Sequence, residues 1–223
     1  IGCLHDNVDL VIVRENNEGF QPDRNMVLGS GEFRPTDEVT LSVRVITRTG
    51  SRRVARAAYE LARQRRKHLT YVHKDTVFKL GCGMFVEECR KLAPEYPDVL
   101  VDDVIVDTFA MRLVRDPQTF DVVVTTNMFG DILSDEAAGL VGGLGMAPGL
   151  CIGDGDVAMA QATHGSAPDI AGKGIANPYA MMDSTRMMFD WLGHKRGNDG
   201  AVRMAASMSG AITEALADAQ ART

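Results

Sequence analysis

Three carboxylates and a lysine stand where their types and spacing could do metal-assisted chemistry. In Asn127-Met128-Phe129-Gly130-Asp131-Ile132-Leu133-Ser134-Asp135, Asp131 and Asp135 are four residues apart. A helix puts both on one face, where like charges repel unless a counter-charge joins them. A hard divalent cation, Mg²⁺ or Mn²⁺, is one such partner; a helix cap or a lysine is the alternative. The run follows a strand-like segment, residues 120–125, and open α/β sheets collect ligands at the carboxyl ends of their strands. Asp107 ends a strand-like segment at 101–106, and Lys74 ends another at 68–73. Singly, each is an ordinary strand-end charge; together they suit acid–base work beside a metal.

A second signal is His164-Gly165-Ser166-Ala167-Pro168-Asp169-Ile170-Ala171-Gly172-Lys173-Gly174-Ile175-Ala176-Asn177-Pro178. Small residues let a backbone approach a flat ligand, and Asp169 could accept hydrogen bonds from a ribose diol while repelling a 2′-phosphate. As composition alone it is a turn-rich loop. No GxGxxG, Walker A, GxSxG or HExxH motif occurs, so any nucleotide is bound by another route.

The elements that must position these groups follow from hydrophobic period. Strands are expected at residues 8–13, 39–47 (half-buried, by its alternation), 68–73, 101–106 and 120–125. Helices are expected at 51–67, capped by Thr49 or Ser51, up to about 93, at 111–115, 129–144, 181–191 and 201–221. Residues 16–37 read as a polar loop or arm, and the Gly-rich stretch 139–155 as a hinge. Alternating strands and helices indicate an α/β fold with a mixed, largely parallel sheet.

Composition bounds the rest. The 223 residues are 45% hydrophobic and carry 24 Lys plus Arg against 30 Asp plus Glu, net −6. That argues against nucleic-acid binding through net charge. The basic stretch Arg48 to Lys67 reads as a solvated helix face. No apolar run approaches the roughly 18 residues of a membrane span. Cys3, Cys82, Cys89 and Cys151 form no CxxC pair or zinc spacing; buried thiols in a reducing cytoplasm are the simplest reading. Met181, Met182, Met187 and Met188 read as helix-core filler, and Asp154-Gly155-Asp156 as a turn.

In order along the chain, Val13-Arg14-Glu15-Asn16, Val72-His73-Lys74, the Asp107 region, the Asn127–Asp135 run and the His164–Pro178 loop resemble the NAD(P)-dependent β-decarboxylating dehydrogenases of isopropylmalate, isocitrate, homoisocitrate and tartrate. The resemblance runs from about Asp9 to the C-terminus. It implies the isopropylmalate dehydrogenase-like two-lobed fold, with residues 1–141 as the substrate and dimerisation lobe and 142–223 as the back of the dinucleotide lobe. It also implies about a hundred further residues before Ile1.

The resemblance assigns roles by position. Arg14 grips a substrate carboxylate. Lys74, with Asp107, is catalytic and moves the hydroxyl proton. Asp107, Asp131 and Asp135 hold Mg²⁺ or Mn²⁺. His164, Gly165, Ser166 and Ala167 form the adenosine loop, Asn177 meets adenine, Asn127 lies on the nicotinamide side, and Asp169 selects NAD. The expected activity is NAD-dependent oxidative decarboxylation of a 2-hydroxy acid with a 3-carboxylate, isopropylmalate ranked first. The expected assembly is a homodimer with shared sites, Lys74 and Asp107 acting across the interface and the arm clasping the partner. Two departures stand out: Gln21 replaces the family's usual tyrosine, which a carboxamide cannot replace as an acid, and Gln161 a glutamate. They motivate the alternative of a catalytically weak regulatory paralogue.

Overall fold

Four strands lie parallel in the order β1, β6, β4, β5, so their carboxyl ends share one edge: β1 (Val11–Arg14), β6 (Val122–Thr125), β4 (His68–His73) and β5 (Leu100–Ile105). The computed structural model describes residues 4, 5, 7–20 and 31–218. These fall into two compact units, one His5–Leu140 and the other built from Val141 onward together with Leu4.

In the first unit both sheet faces are covered, as parallel sheets require. Val122 and Val124 of β6 point to one face with Leu69 and Tyr71 of β4; there they meet Val54, Ala58 and Tyr59 of α1 (Arg48–Gln64) and Phe85, Val86 and Cys89 of α2 (Gly81–Leu92). Val123 and Val72 point to the other face and meet Phe109 and Leu113 of α3 (Val106–Arg115), Phe120, and Phe129 and Leu133 of α4 (Asn127–Leu140). The Phe109 and Phe120 rings lie 4.6 Å apart and are fully buried, each contributing about 1.5–3 kcal/mol. Cys82 and Cys89 are buried free thiols on α2.

Helix α1 starts before its predicted cap. Extended Thr47 takes that place and accepts from Gly50 N, because buried Glu18 accepts from Thr47 N at 2.8 Å and from its hydroxyl at 2.7 Å. The basic face of α1 is ion-paired rather than merely solvated. Arg48 and Arg52 meet buried Glu88, Arg53 meets Glu15, Arg56 meets Glu95, Arg63 and Lys67 meet Asp98, and Arg65 meets buried Asp121. The partners lie outside α1, and period within the helix does not show them.

The arm is in part a hairpin. β2 (Glu32–Thr36) pairs antiparallel with β3 (Val39–Ser42). β3 stops at Ser42 and is exposed, against the expected half-buried strand through 47; among the described residues the hairpin pairs only with itself. Asp107 does not end a strand; it lies in the first turn of α3. Helix α4 ends at Leu140, where Gly142 and Gly143 take φ of 114° and 104°.

The second unit has a hairpin that the sequence reading missed. β7 (Pro148–Ile152), inside the stretch read as hinge, pairs antiparallel with β8 (Ala158–Ala162), just beyond it. Two long helices follow, α5 (Tyr179–Arg196) and α6 (Asp199–Ala217). Ser184 fastens α5 to the hairpin: its buried hydroxyl accepts from Gly149 N at 3.0 Å and lies 3.0 Å from Gln161 O. Met181 and Met182 are exposed rather than core filler. No helix among the described residues is long and apolar enough to cross a membrane.

Candidate active site

The carboxyl edge of the sheet carries Arg14 at the end of β1, Lys74 just after β4, Asp107 just after β5 and Asn127 at the start of α4, two residues after β6. The strand order fixes which of them can meet. β1 and β6 are neighbours, so Arg14 reaches the helix after β6: Nη1 donates to Asp131 at 2.6 Å and Nη2 approaches Asn127 Oδ1 at 3.5 Å. β4 and β5 are neighbours, so Lys74 Nζ donates to Asp107 Oδ1 at 2.6 Å. Two strand spacings, roughly 10 Å, separate β6 from β5. The edge therefore holds two half-sites, and among the described residues no three metal-capable side chains converge.

The first half-site is braced from below. Asn127 is buried, its Nδ2 donates to Glu15 O, and its Cβ lies under Gly19, where an added Cβ would come within 2.8 Å. Its amide therefore orients the segment after Arg14; a direct cofactor contact would require exchanging these bonds. Gly130 also has to be glycine, since a Cβ would fall 2.6 Å from Arg14 Cγ. Asp131 and Asp135 occupy successive turns of α4, as the spacing implied, and Asp135 is exposed.

The second half-site is more open. Lys74 is a quarter exposed and Asp107 two-thirds exposed. The Lys74 hydrogen bond, with backbone N–H bonds, holds the Asp107 carboxyl below its ordinary value. His73, just before Lys74, is buried between Asp103 of β5 and Asp75. The sequence reading passed over this arrangement, whose one visible signal is a histidine at a strand end beside the lysine. Burial works to raise Asp103, but hydrogen bonds from His73 and Arg90 outweigh it and hold it low. The loop after Lys74 exposes Val77, Phe78 and Leu80.

In the second unit His164, Gly165, Ser166, Ala167 and Asp169 form an exposed loop. Ala167 takes φ 44°, a left-handed conformation a small side chain tolerates best, and Pro168–Ile170 make a single 3₁₀ turn. Asn177 Oδ1 accepts from Tyr179 N at 3.0 Å at the start of α5, and Gly145 allows the Asn177 side chain to come close. The Gln161 side chain is on the exposed side of β8. Gln21 and part of the arm lie outside the described residues.

A sequence profile of the isocitrate/isopropylmalate dehydrogenase family matches residues 3–223. The chain belongs to that family. Among the similar proteins of this isocitrate/isopropylmalate dehydrogenase family, the 3-isopropylmalate dehydrogenase of Archaeoglobus fulgidus is 49% identical over 199 residues, covering 87% of this chain and 57% of the relative. The isocitrate/homoisocitrate dehydrogenase of Thermus thermophilus is 51% identical over 189 residues, covering 84% and 54%. The crystal structure of isocitrate dehydrogenase from Methylococcus capsulatus superposes with a TM-score of 0.78 at 47% identity, over 90% of this chain and 57% of that one. This family member thus spans little more than half the length of the relatives it matches, and relatives of different substrate name stand at similar identity.

Proposed function

We propose that the chain contributes the Arg14 and Lys74 half-sites of an NAD-dependent decarboxylating dehydrogenase acting on a 2-hydroxy acid with a 3-carboxylate, isopropylmalate first among isopropylmalate, isocitrate, homoisocitrate and tartrate. The observation that carries the reading is the pair of ion pairs, Arg14–Asp131 and Lys74–Asp107, along one sheet edge. The supporting physics is geometric. Two neighbouring strands put an arginine beside a carboxylate, and the next two put a lysine beside another.

The donor chemistry fits a hard divalent cation, but only in part within one chain. Asp131 and Asp135 offer oxygen donors on one helix face, while Asp107 lies across the sheet from them. A shared site in a homodimer supplies the third carboxylate from a second copy. The exposed Lys74–Asp107 pair, the exposed apolar Val77, Phe78 and Leu80 that follow Lys74, and exposed Val39 and Leu41 on the hairpin support such a partner. The carboxylate of Asp169, exposed on its loop, supports NAD over NADP, because a carboxylate accepts hydrogen bonds from a ribose diol and repels a 2′-phosphate. Buried free thiols at Cys82 and Cys89 fit a reducing, cytoplasmic setting.

When bound, NAD would accept the C2 hydride and the cation would stabilise the oxygen that becomes an enolate during loss of carbon dioxide. The chain's own residues do the rest. A substrate carboxylate takes the Arg14 guanidinium in place of Asp131, and two parallel N–H donors fix its plane. Lys74, on the opposite half-site, acts as the neutral amine after its ammonium proton has left to water, and takes the proton from the 2-hydroxyl oxygen. Asn127 and Glu15 keep Arg14 from turning away. A regulatory paralogue of weak activity is the second reading, favoured by Gln21 and Gln161.

The test is NADH formation with Mn²⁺ by this chain and by the chain extended to the length of its relatives, offered the four acids in parallel with NADP as control. Turnover of one acid with NAD preferred is expected, lost in Lys74→Ala and with KM raised about 100-fold in Arg14→Gln, as removal of a bidentate carboxylate contact of about 3 kcal/mol implies. A dimer that binds NAD yet oxidises none of the acids would favour the regulatory reading. A monomer by light scattering would sink the shared site.

A further inference from the structure

We propose that His73 is a positioning residue that fixes both ends of the Lys74–Asp107 pair. Its imidazole is buried, and each ring nitrogen is committed. The Asp75 N–H approaches Nδ1 at 3.3 Å, and Nε2 is hydrogen-bonded to Asp103 Oδ1. The first bond closes a ring of atoms around the Lys74 backbone, from the side chain of residue 73 to the amide of residue 75. On the other side the Lys74 carbonyl accepts from Val77 N at 3.1 Å and Phe78 N at 2.8 Å. The peptide units flanking Lys74 are thereby pinned at the point where β4 stops and ladder bonds no longer hold the chain.

The second bond acts on Asp107. Asp103 lies on β5, His73 stands opposite Ile105 in the register, and α3 begins at Val106 with Asp107 in its first turn. The imidazole thus ties β4 to the strand that delivers Asp107, and Arg90 of α2 holds the other Asp103 oxygen. One side chain sets the Lys74 backbone with one nitrogen and the approach to Asp107 with the other. Asp75 Oδ1 also lies 3.2 Å from Nδ1. The meaning of this device for turnover rests on the proposed role of Lys74; the device itself does not.

The test separates the two. The chain has six lysines, so selective labelling gives few Lys Cε signals, and Lys74→Arg identifies the one from Lys74. In the wild-type 223-residue chain the Lys74 Cε order parameter is expected to lie well above those of exposed Lys79 and Lys173. His73→Ala should drop it to their level while leaving theirs unchanged. The exchange of His73→Asp with Asp103→His, which keeps the pair and reverses its direction, should restore it. Asp103→Asn, at a more accessible position, should give an intermediate fall, and it decides the matter if His73→Ala does not fold. A Lys74 signal unmoved by His73→Ala, or by Asp103→Asn where that variant decides, overturns the proposal; so does loss of order at all six lysines together, which marks a merely structural role. In the active protein His73→Ala should lower kcat about tenfold with KM unchanged, since Arg14 is untouched. Wild type without turnover would count against the proposed function and leave the order-parameter result standing.

Discussion

The two units bury different things. The first fills both faces of a parallel sheet with large side chains, including fully buried Tyr59, Tyr71, Phe85, Phe109, Phe120 and Leu133. The second buries mainly small ones, Ala162, Ala180, Ser184, Ala201 and Ala205, with Ile212, and leaves Ile152, Val157, Met159, Met181, Met182 and Met204 exposed. Apolar area removed from water sets the scale of stabilisation, so the first unit should be the firmer one. The half-sites stand on that rigid edge, while the proposed adenosine loop rests on a hairpin and two helices joined by close backbone approach. Proton transfer tolerates little misplacement, whereas a ligand-gripping loop gains from adjusting.

The comparison can be broken by denaturation. The single tryptophan, Trp191, lies on α5 in the second unit, while buried Tyr59 and Tyr71 report on the first. In urea the Trp191 fluorescence transition should precede the tyrosine near-ultraviolet transition. Phe109→Ala should destabilise the tyrosine transition by about 3–5 kcal/mol and leave the Trp191 midpoint in place. Coincident transitions that shift together would show a single cooperative molecule and dissolve the contrast.

A smaller effect tests whether the first unit's charges matter as well as its core. Glu88 is fully buried and meets Arg48, Arg52 and Lys91. Burial works to raise its carboxyl, but the hydrogen bonds from Lys91, Arg52 and Arg48 prevail and bring it from 4.5 down to about 2. A folded value below the ordinary one means stability present above pH 4.5 and lost as pH falls towards 2. Glu88→Gln should cost about 2 kcal/mol at neutral pH, the partners being half exposed, and should flatten the acid limb of the tyrosine transition. An acid limb unchanged in that variant would assign the pH dependence to other carboxylates.

The second unit's own weak point is the α5–α6 contact. A Cβ on Gly193 would fall 2.5 Å from Val202 Cγ2 and 2.9 Å from Val202 N, and backbone cannot step aside as a side chain can. Gly193→Ala should lower the Trp191 transition by about 1–3 kcal/mol without moving the tyrosine one. A neutral result would mean that the helices part easily and the unit is looser than its contacts imply.

This division also explains what could be read before the structure. Val122-Val123-Val124 and the α1 stripe Val54, Ala58 and Leu61 carry apolar side chains at strand and helix period, so their elements were legible to within a few residues. The hairpin β7–β8 was not, because Pro148-Gly149 and Ala158, Ala160 and Ala162 carry no period that distinguishes strand from loop. Arg14, Lys74, Asp107, Asp131 and Asp135 could be picked out as chemical groups. Their sorting into two half-sites depends on the order β1, β6, β4, β5, which joins residues over a hundred positions apart and leaves no local trace. The His73 arrangement escaped for the same reason: its partner Asp103 is a cross-strand neighbour thirty residues away.

Two helix caps sharpen the comparison at the smallest scale, since they do one job in both units. Asn198 Oδ1 accepts from Gly200 N and Ala201 N at 3.0 and 3.2 Å at the exposed start of α6. Thr47 accepts from Gly50 N at the start of α1 and also donates its hydroxyl to Glu18, whose carboxylate is buried. Water can take over the amides that Asn198→Ala releases, so that variant should cost about 1 kcal/mol, read on Trp191. Thr47→Ala leaves a buried carboxylate short of a donor in addition to the lost cap. It should cost about 2 kcal/mol, read on the tyrosines. Equal losses at the two caps would mean that Glu18 gains nothing from the Thr47 hydroxyl, and that the first unit's advantage lies in its apolar core alone.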